Sequence, residues 1–177
     1  MPAHPSSSAL PSPANAAGRP FAFAAVVAFG SLAAALFTQH VLDMQPCSWC
    51  VAQRLAIAVA GLLCLAGLSV ARQPAAARVL AGLTALAALA GLAAAIWQQG
   101  WASKSLSCAF TLADRIVMKT GLAQGLPAVF QPTASCAEAN QALLGLPYAV
   151  WSALAFLLIL AAMVKAMAAR PQGVTRV

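Results

Sequence analysis

Charge is what this 177-residue chain has least of. Only 7% of its residues are charged, and three are acidic: Asp43, Asp114 and Glu138. A soluble globular domain carries about 25% charged residues, so that class is excluded. The ten Lys and Arg residues give a net charge of +7. They fall between apolar runs and form no basic stripe, which excludes a nucleic-acid-binding surface. The sequence also lacks a Gly-rich phosphate loop, a carboxylate pair and a Ser/His/Asp set.

What fills the chain instead is apolar: 62% of residues, with a mean hydropathy of +0.84. Four runs account for it, at residues 21–37, 55–70, 79–97 and 146–167. Each approaches the roughly 20 residues that cross a bilayer. The expected fold is all-α, an integral membrane four-helix bundle in the lipid bilayer with a long periplasmic loop, 98–145, between spans three and four. Residues 1–20, rich in proline and serine, are expected to be a disordered cytoplasmic tail. Residues 21–168 form the membrane domain, and 169–177 a short cytoplasmic tail. The first run is a retained span rather than a signal peptide, because three further spans follow it. Gly61, Gly67, Gly82 and Gly91 suit close helix approach in lipid, although an alanine-rich composition would supply such residues as well.

Orientation follows from Lys and Arg near span ends. One side carries Arg19, Arg72, Arg78, Lys165, Arg170 and Arg176 with no acid. The other carries Arg54, Lys104, Arg115 and Lys119 with all three acids. The first is the cytoplasmic side, with both termini. Cys47, Cys50, Cys108 and Cys136 then lie on the outer side, the periplasm of a bacterium, where disulfides form. Cys64 lies within span two and reads as a small core residue.

Cys47-Ser48-Trp49-Cys50 is a Cys-x-x-Cys pair at the mouth of span two. At a helix start, free N–H groups and the dipole favour a thiolate. Arg54 follows Cys50 by four residues and shares its helix face. A guanidinium there suits a Cys50 thiolate or a ligand oxygen. Cys108 and Cys136 sit on the same side of the membrane, and thiol–disulfide exchange links two such pairs when they meet. Segment 110–118 and Leu126, Val129 and Phe130 are apolar enough to keep the loop at the interface. Trp49, Trp97, Trp101 and Trp151 lie near span ends on the outer side, where an aromatic belt accounts for Trp151 and Trp101, and His40 and Gln99 are polar groups at the same level. A four-cysteine zinc site is a rival reading, weakened because only one pair is close.

Thr38-Gln39-His40-Val41, Pro46-Cys47-Ser48-Trp49-Cys50, Gln53-Arg54, Ser135-Cys136-Ala137-Glu138 and Leu144-Gly145-Leu146-Pro147 together resemble the bacterial disulfide bond formation protein B family, over residues 21–168. The resemblance implies a membrane thiol oxidase of the bacterial inner membrane. It would reoxidise a periplasmic DsbA-like dithiol oxidoreductase and pass the electrons to ubiquinone or menaquinone. Carried over by position, Cys47 and Cys50 reduce quinone, Cys50 being the thiolate at the ring, and Arg54 holds a quinone oxygen. Cys108 and Cys136 meet DsbA, Cys108 takes the mixed disulfide, and Cys136 shuttles to Cys47. Gln99 is kept as a quinone contact. Ala95 stands where some family members have a histidine. A quinone reductase similar to the vitamin K epoxide reductase family and a cysteine metal-binding membrane protein are the alternatives.

Overall fold

The computed structural model describes residues 13–104 and 112–168. Four helices are long and apolar enough to cross a membrane. They are α1 (Pro13–Val41), α2 (Ser48–Ser69), α3 (Pro74–Gly100) and, after the outer loop, α7 (Tyr148–Ala168). Among the described residues the loop contributes three short α-helices: α4 (Leu112–Thr120), α5 (Leu122–Gly125) and α6 (Pro127–Phe130). Helix α1 starts at Pro13, so residues 13–20 are helical rather than tail. Proline fits a helix start, and the alanines that follow are the best helix formers.

The other span boundaries also shift from the expected ones. Helix α2 begins at Ser48, with Cys47 as its N-cap in extended conformation. The Cys-x-x-Cys pair is therefore the first turn of the span. Helix α7 begins at Tyr148, because Leu146-Pro147 belongs to a small hairpin. Its strands are β1 (Ala142–Leu143) and β2 (Leu146–Pro147), antiparallel with Leu143 opposite Leu146. Leu144 and Gly145 form its two-residue turn with φ of 53° and 82°, the positive pair that such tight turns need.

The spans are apolar on every side, so partition between core and lipid depends on fit rather than polarity. Phe21, Phe156, Ile159 and Met163 fill the core against Ala24, Ala28, Ala81, Ala85 and Ala88. Phe23, Val26, Leu62, Leu86 and Leu157 face outward. Two glycines are notches for aromatic rings. A Cβ on Gly67 would lie 2.3 Å from the Phe21 ring, and one on Gly91 would lie 2.1 Å from Phe156. Gly82 has nothing within 4 Å, so only part of the glycine content is packing. Gly91→Ala is expected to destabilise the bundle by about 1–3 kcal/mol through overpacking. Gly82→Ala should be neutral or slightly stabilising. Thermal unfolding of the two variants in detergent checks this.

Candidate functional site

Three thiols line up where the outer loop meets α2. The Cys47 and Cys50 sulfurs are 3.1 Å apart and unbonded. Cys47, 1% exposed, touches both Cys50 and Cys136 through its sulfur. It is thus the middle member of the line. The thiol of Cys136 is held below its usual range, chiefly by its hydrogen bond with Cys47 and also by the Trp49 backbone N–H, against the opposing effect of burial. The Cys47 thiol is pushed strongly upward by Cys136 first, then by Cys50 and by burial.

Local sequence explains how Cys136 reaches this position. The Pro46 carbonyl accepts hydrogen bonds from the N–H groups of Thr133 (2.9 Å) and Ala134 (3.2 Å). The Thr133 hydroxyl donates to the Gln45 side chain at 2.7 Å. The next four residues are a capping box in a single turn. The Ser135 N–H and hydroxyl donate to Glu138 at 2.9 and 2.7 Å, and the Glu138 N–H returns to the Ser135 oxygen at 3.3 Å. Those bonds hold the exposed Glu138 carboxyl below its usual range. Ser48, between the two cysteines of the pair, donates to Asp114 of α4. Val117 of α4 and Phe130 of α6 pack on Val51, one residue past Cys50.

Below the thiols lies a cavity of about 230 Å³. Cys50, Gln53 and Arg54 of α2 form one wall, and Gln98 of α3 stands beside them. Thr38 and Ala35 come from α1, and Tyr148 and Phe156 from α7. Arg54 is 6% exposed, so it does not snorkel to headgroups. Its guanidinium donates to the Gln39 side chain, to the Val129 carbonyl (3.0 Å) and to the Ala35 carbonyl (3.2 Å). Three of its five N–H donors are thereby engaged. The neighbouring loop carbonyl holds α1, since Ala128 accepts from His40 at 3.0 Å and from Gln39 at 3.5 Å. His40 thus ties α1 to the loop.

Of the residues singled out from sequence, Cys47, Cys50, Cys136 and Arg54 come together. Cys108 lies outside the described residues. Gln99 does not line the cavity. It is half-buried, and its Oε1 has no hydrogen-bond partner among the described residues. Its neighbour Gln98 takes that place, because consecutive helical residues point about 100° apart and only one of the two can face Cys50. Gln98 is 2% exposed, accepts from Gln53 at 2.6 Å and donates to the Cys50 sulfur at 3.2 Å. Gln39, Gln53, Ser48, Asp114 and Tyr148 are the other site residues that sequence reasoning misses. Amides on otherwise apolar helices are the signal that points to Gln39 and Gln53; nothing local marks Ser48, Asp114 or Tyr148. Trp49, Trp97 and Trp101 form a ladder, with ring centroids 6.4 and 5.2 Å apart. It runs along the partly exposed outer end of α3, as an aromatic belt does.

Residues 18–166 match the family model described as disulfide bond formation protein DsbB. The chain is 34% identical over 132 residues to disulfide bond formation protein B of Verminephrobacter eiseniae, covering 72% of this chain and 73% of that one. It is 36% identical over 137 residues to the protein of that name from an Azoarcus species, covering 75% and 78%. It is 35% identical over 143 residues to that of Herminiimonas arsenicoxydans, covering 80% and 89%. No solved structure matches the chain.

Proposed function

Since the chain belongs to the disulfide bond formation protein B family, and is therefore a multi-pass membrane protein that forms disulfides, we propose that it moves electrons from a periplasmic DsbA-like dithiol to membrane quinone. The observation that carries this reading is the line of three thiols, which begins at the outer loop with Cys136 and ends with Cys50 at the cavity wall. The proposed orientation has both termini in the cytoplasm of a bacterium and the thiols in the periplasm.

In the proposed exchange, a DsbA thiolate attacks Cys108 in a Cys108–Cys136 disulfide and releases the Cys136 thiolate. The second DsbA thiol then displaces Cys108, so DsbA leaves oxidised and two thiols remain on the loop. Cys136 attacks Cys47 of a Cys47–Cys50 disulfide, releasing Cys50 as the thiolate. Cys108 closes on Cys136 and frees Cys47, so the loop disulfide is restored and two electrons rest on the Cys47–Cys50 pair. A Cys136 sulfur already in contact with Cys47 needs little search to reach it.

The cavity residues fit a quinone ring. An apolar cavity of about 150 Å³ takes up benzene, and this one is larger, with a cation and amides on one wall. Arg54 and Gln98 would hold the ring oxygens, and the bonds that Arg54 makes to Gln39, Ala35 and Val129 fix the plane of its guanidinium. Bound there, quinone supplies a two-electron, two-proton acceptor. An acceptor of that strength is needed. DsbA sits near −120 mV against about −270 mV for a thioredoxin-like pair, an uphill gap of about 7 kcal/mol for two electrons.

The test is direct. Full-length protein in detergent is mixed with reduced DsbA-like protein and either a benzoquinone or a naphthoquinone. Quinone-dependent loss of DsbA thiols is the expected result, and no oxidation with either acceptor would overturn the reading. The epoxide-reductase-like and metal-binding alternatives gain no support from the family match.

A further inference from the structure

Helix α3 is mostly Ala, Leu and Gly, yet it buries one amide almost completely against α2. A buried amide has to satisfy both its oxygen and its nitrogen, and Gln98 does so with two different partners. Its Oε1 accepts from the Gln53 amide at 2.6 Å, and its Nε2 donates to the Cys50 sulfur at 3.2 Å. Gln53 is itself 5% exposed. A plain clamp between the two helices needs the amide pair alone. The second contact, a donor aimed at sulfur, is what a clamp does not explain. Donors bond an anion about twice as strongly as a neutral acceptor, so an N–H against sulfur favours the thiolate over the thiol. Gln53 decides which end of Gln98 faces the sulfur, because its own N–H occupies the Gln98 oxygen.

We propose that Gln98 is a catalytic residue whose side-chain N–H stabilises the Cys50 sulfur when it bears charge, and that Gln53 is the positioning residue that orients the Gln98 amide. The proposal deepens the reading above and rests on it for the role of Cys50. Other groups also face this sulfur. Cys47 lies beside it, with Cys136 beyond. Arg54 acts from one turn deeper on α2, the Asp114 carboxylate of α4 acts on Cys136 through its charge, and Tyr148 of α7 stands on the cavity wall. Any measurement must therefore isolate the amide pair by a double-mutant comparison.

Reduced full-length protein in detergent is treated with iodoacetamide across the range in which thiols titrate, and alkylation of each cysteine is followed by peptide mass mapping. In Gln98→Met, Cys50 alkylation at neutral pH should slow roughly tenfold, and its pH profile should move upward. Gln53→Leu should move it the same way by less. The double variant should match Gln98→Met alone, because Gln53 acts only through Gln98. Cys64, fully buried, stays unreactive while the bundle is folded. A Gln98→Met profile that superimposes on wild type overturns the proposal. So does a Gln53→Leu effect that persists in full without Gln98. Should Gln98→Met expose Cys64, Gln53→Leu decides alone: a shifted profile supports the proposal and an unshifted one overturns it. The assay contains neither quinone nor partner. A chain that shows the shift yet fails to use quinone refutes the function and leaves this inference standing.

Discussion

Cys50→Ser is expected to reduce the proposed quinone-dependent oxidation of a DsbA-like partner to background, a loss on the order of a thousandfold or more. The reason lies in the line of thiols. Cys50 is the member that meets the cavity, and Cys47 stands between it and Cys136. A serine hydroxyl keeps the size of the side chain but forms no disulfide and is scarcely ionised at neutral pH. Electrons arriving at Cys47 then have no exit. The same variant retains exchange at the outer end, so a mixed disulfide with DsbA should still be trapped. Quinone reduction at constant partner concentration, read beside a non-reducing gel, separates the two. A Cys50→Ser protein with wild-type turnover would remove this residue from the mechanism.

Arg54→Met should be the next most damaging change, for a reason that is partly structural. Its guanidinium joins three parts of the molecule: Gln39 and Ala35 on α1, Val129 on the loop, and α2 itself. Hydrogen bonds from a charged donor contribute about 1.5–3 kcal/mol each. Their loss leaves the Gln39 oxygen and the Val129 carbonyl without this partner. The expected outcome is a rise in KM for quinone of about 10–100-fold, with a smaller fall in kcat and a lower Tm. Arg54→Lys separates charge from geometry. An ammonium keeps the charge but lacks the planar fork that spans several acceptors, so it should recover stability better than quinone affinity. Steady-state kinetics with varied quinone, with unfolding on the same preparations, checks both. Unchanged KM in Arg54→Met would place the ring elsewhere.

Both changes act on residues that the sequence itself singles out. The span pattern is legible there because crossing a bilayer is a requirement on local composition, about 20 apolar residues in a row. The Cys-x-x-Cys pair and Arg54 are legible because their relation is helical spacing within one element. Cys136 can be named from its motif, and its capping box explains the turn it occupies.

Other features depend on elements distant in the chain. Nothing in the run Trp97-Gln98-Gln99-Gly100 says which amide turns toward α2, and the family resemblance points to Gln99. The rotation of α3 about its axis selects Gln98 instead, set by Gly91 receiving Phe156 and by Ala81, Ala88 and Ala95 in the core. The anchoring of Arg54 by Val129 joins residues 75 positions apart, and the contact of Cys47 with Cys136 joins residues 89 apart. By itself the sequence determined how many helices cross the bilayer and which family of disulfide-forming proteins the chain belongs to, because hydropathy, helical periodicity and short motifs are local properties. Only the tertiary structure decided which sulfur stands in the middle, which glutamine meets Cys50 and where the cavity opens, because those depend on how helices rotate and loops fold back to fill space.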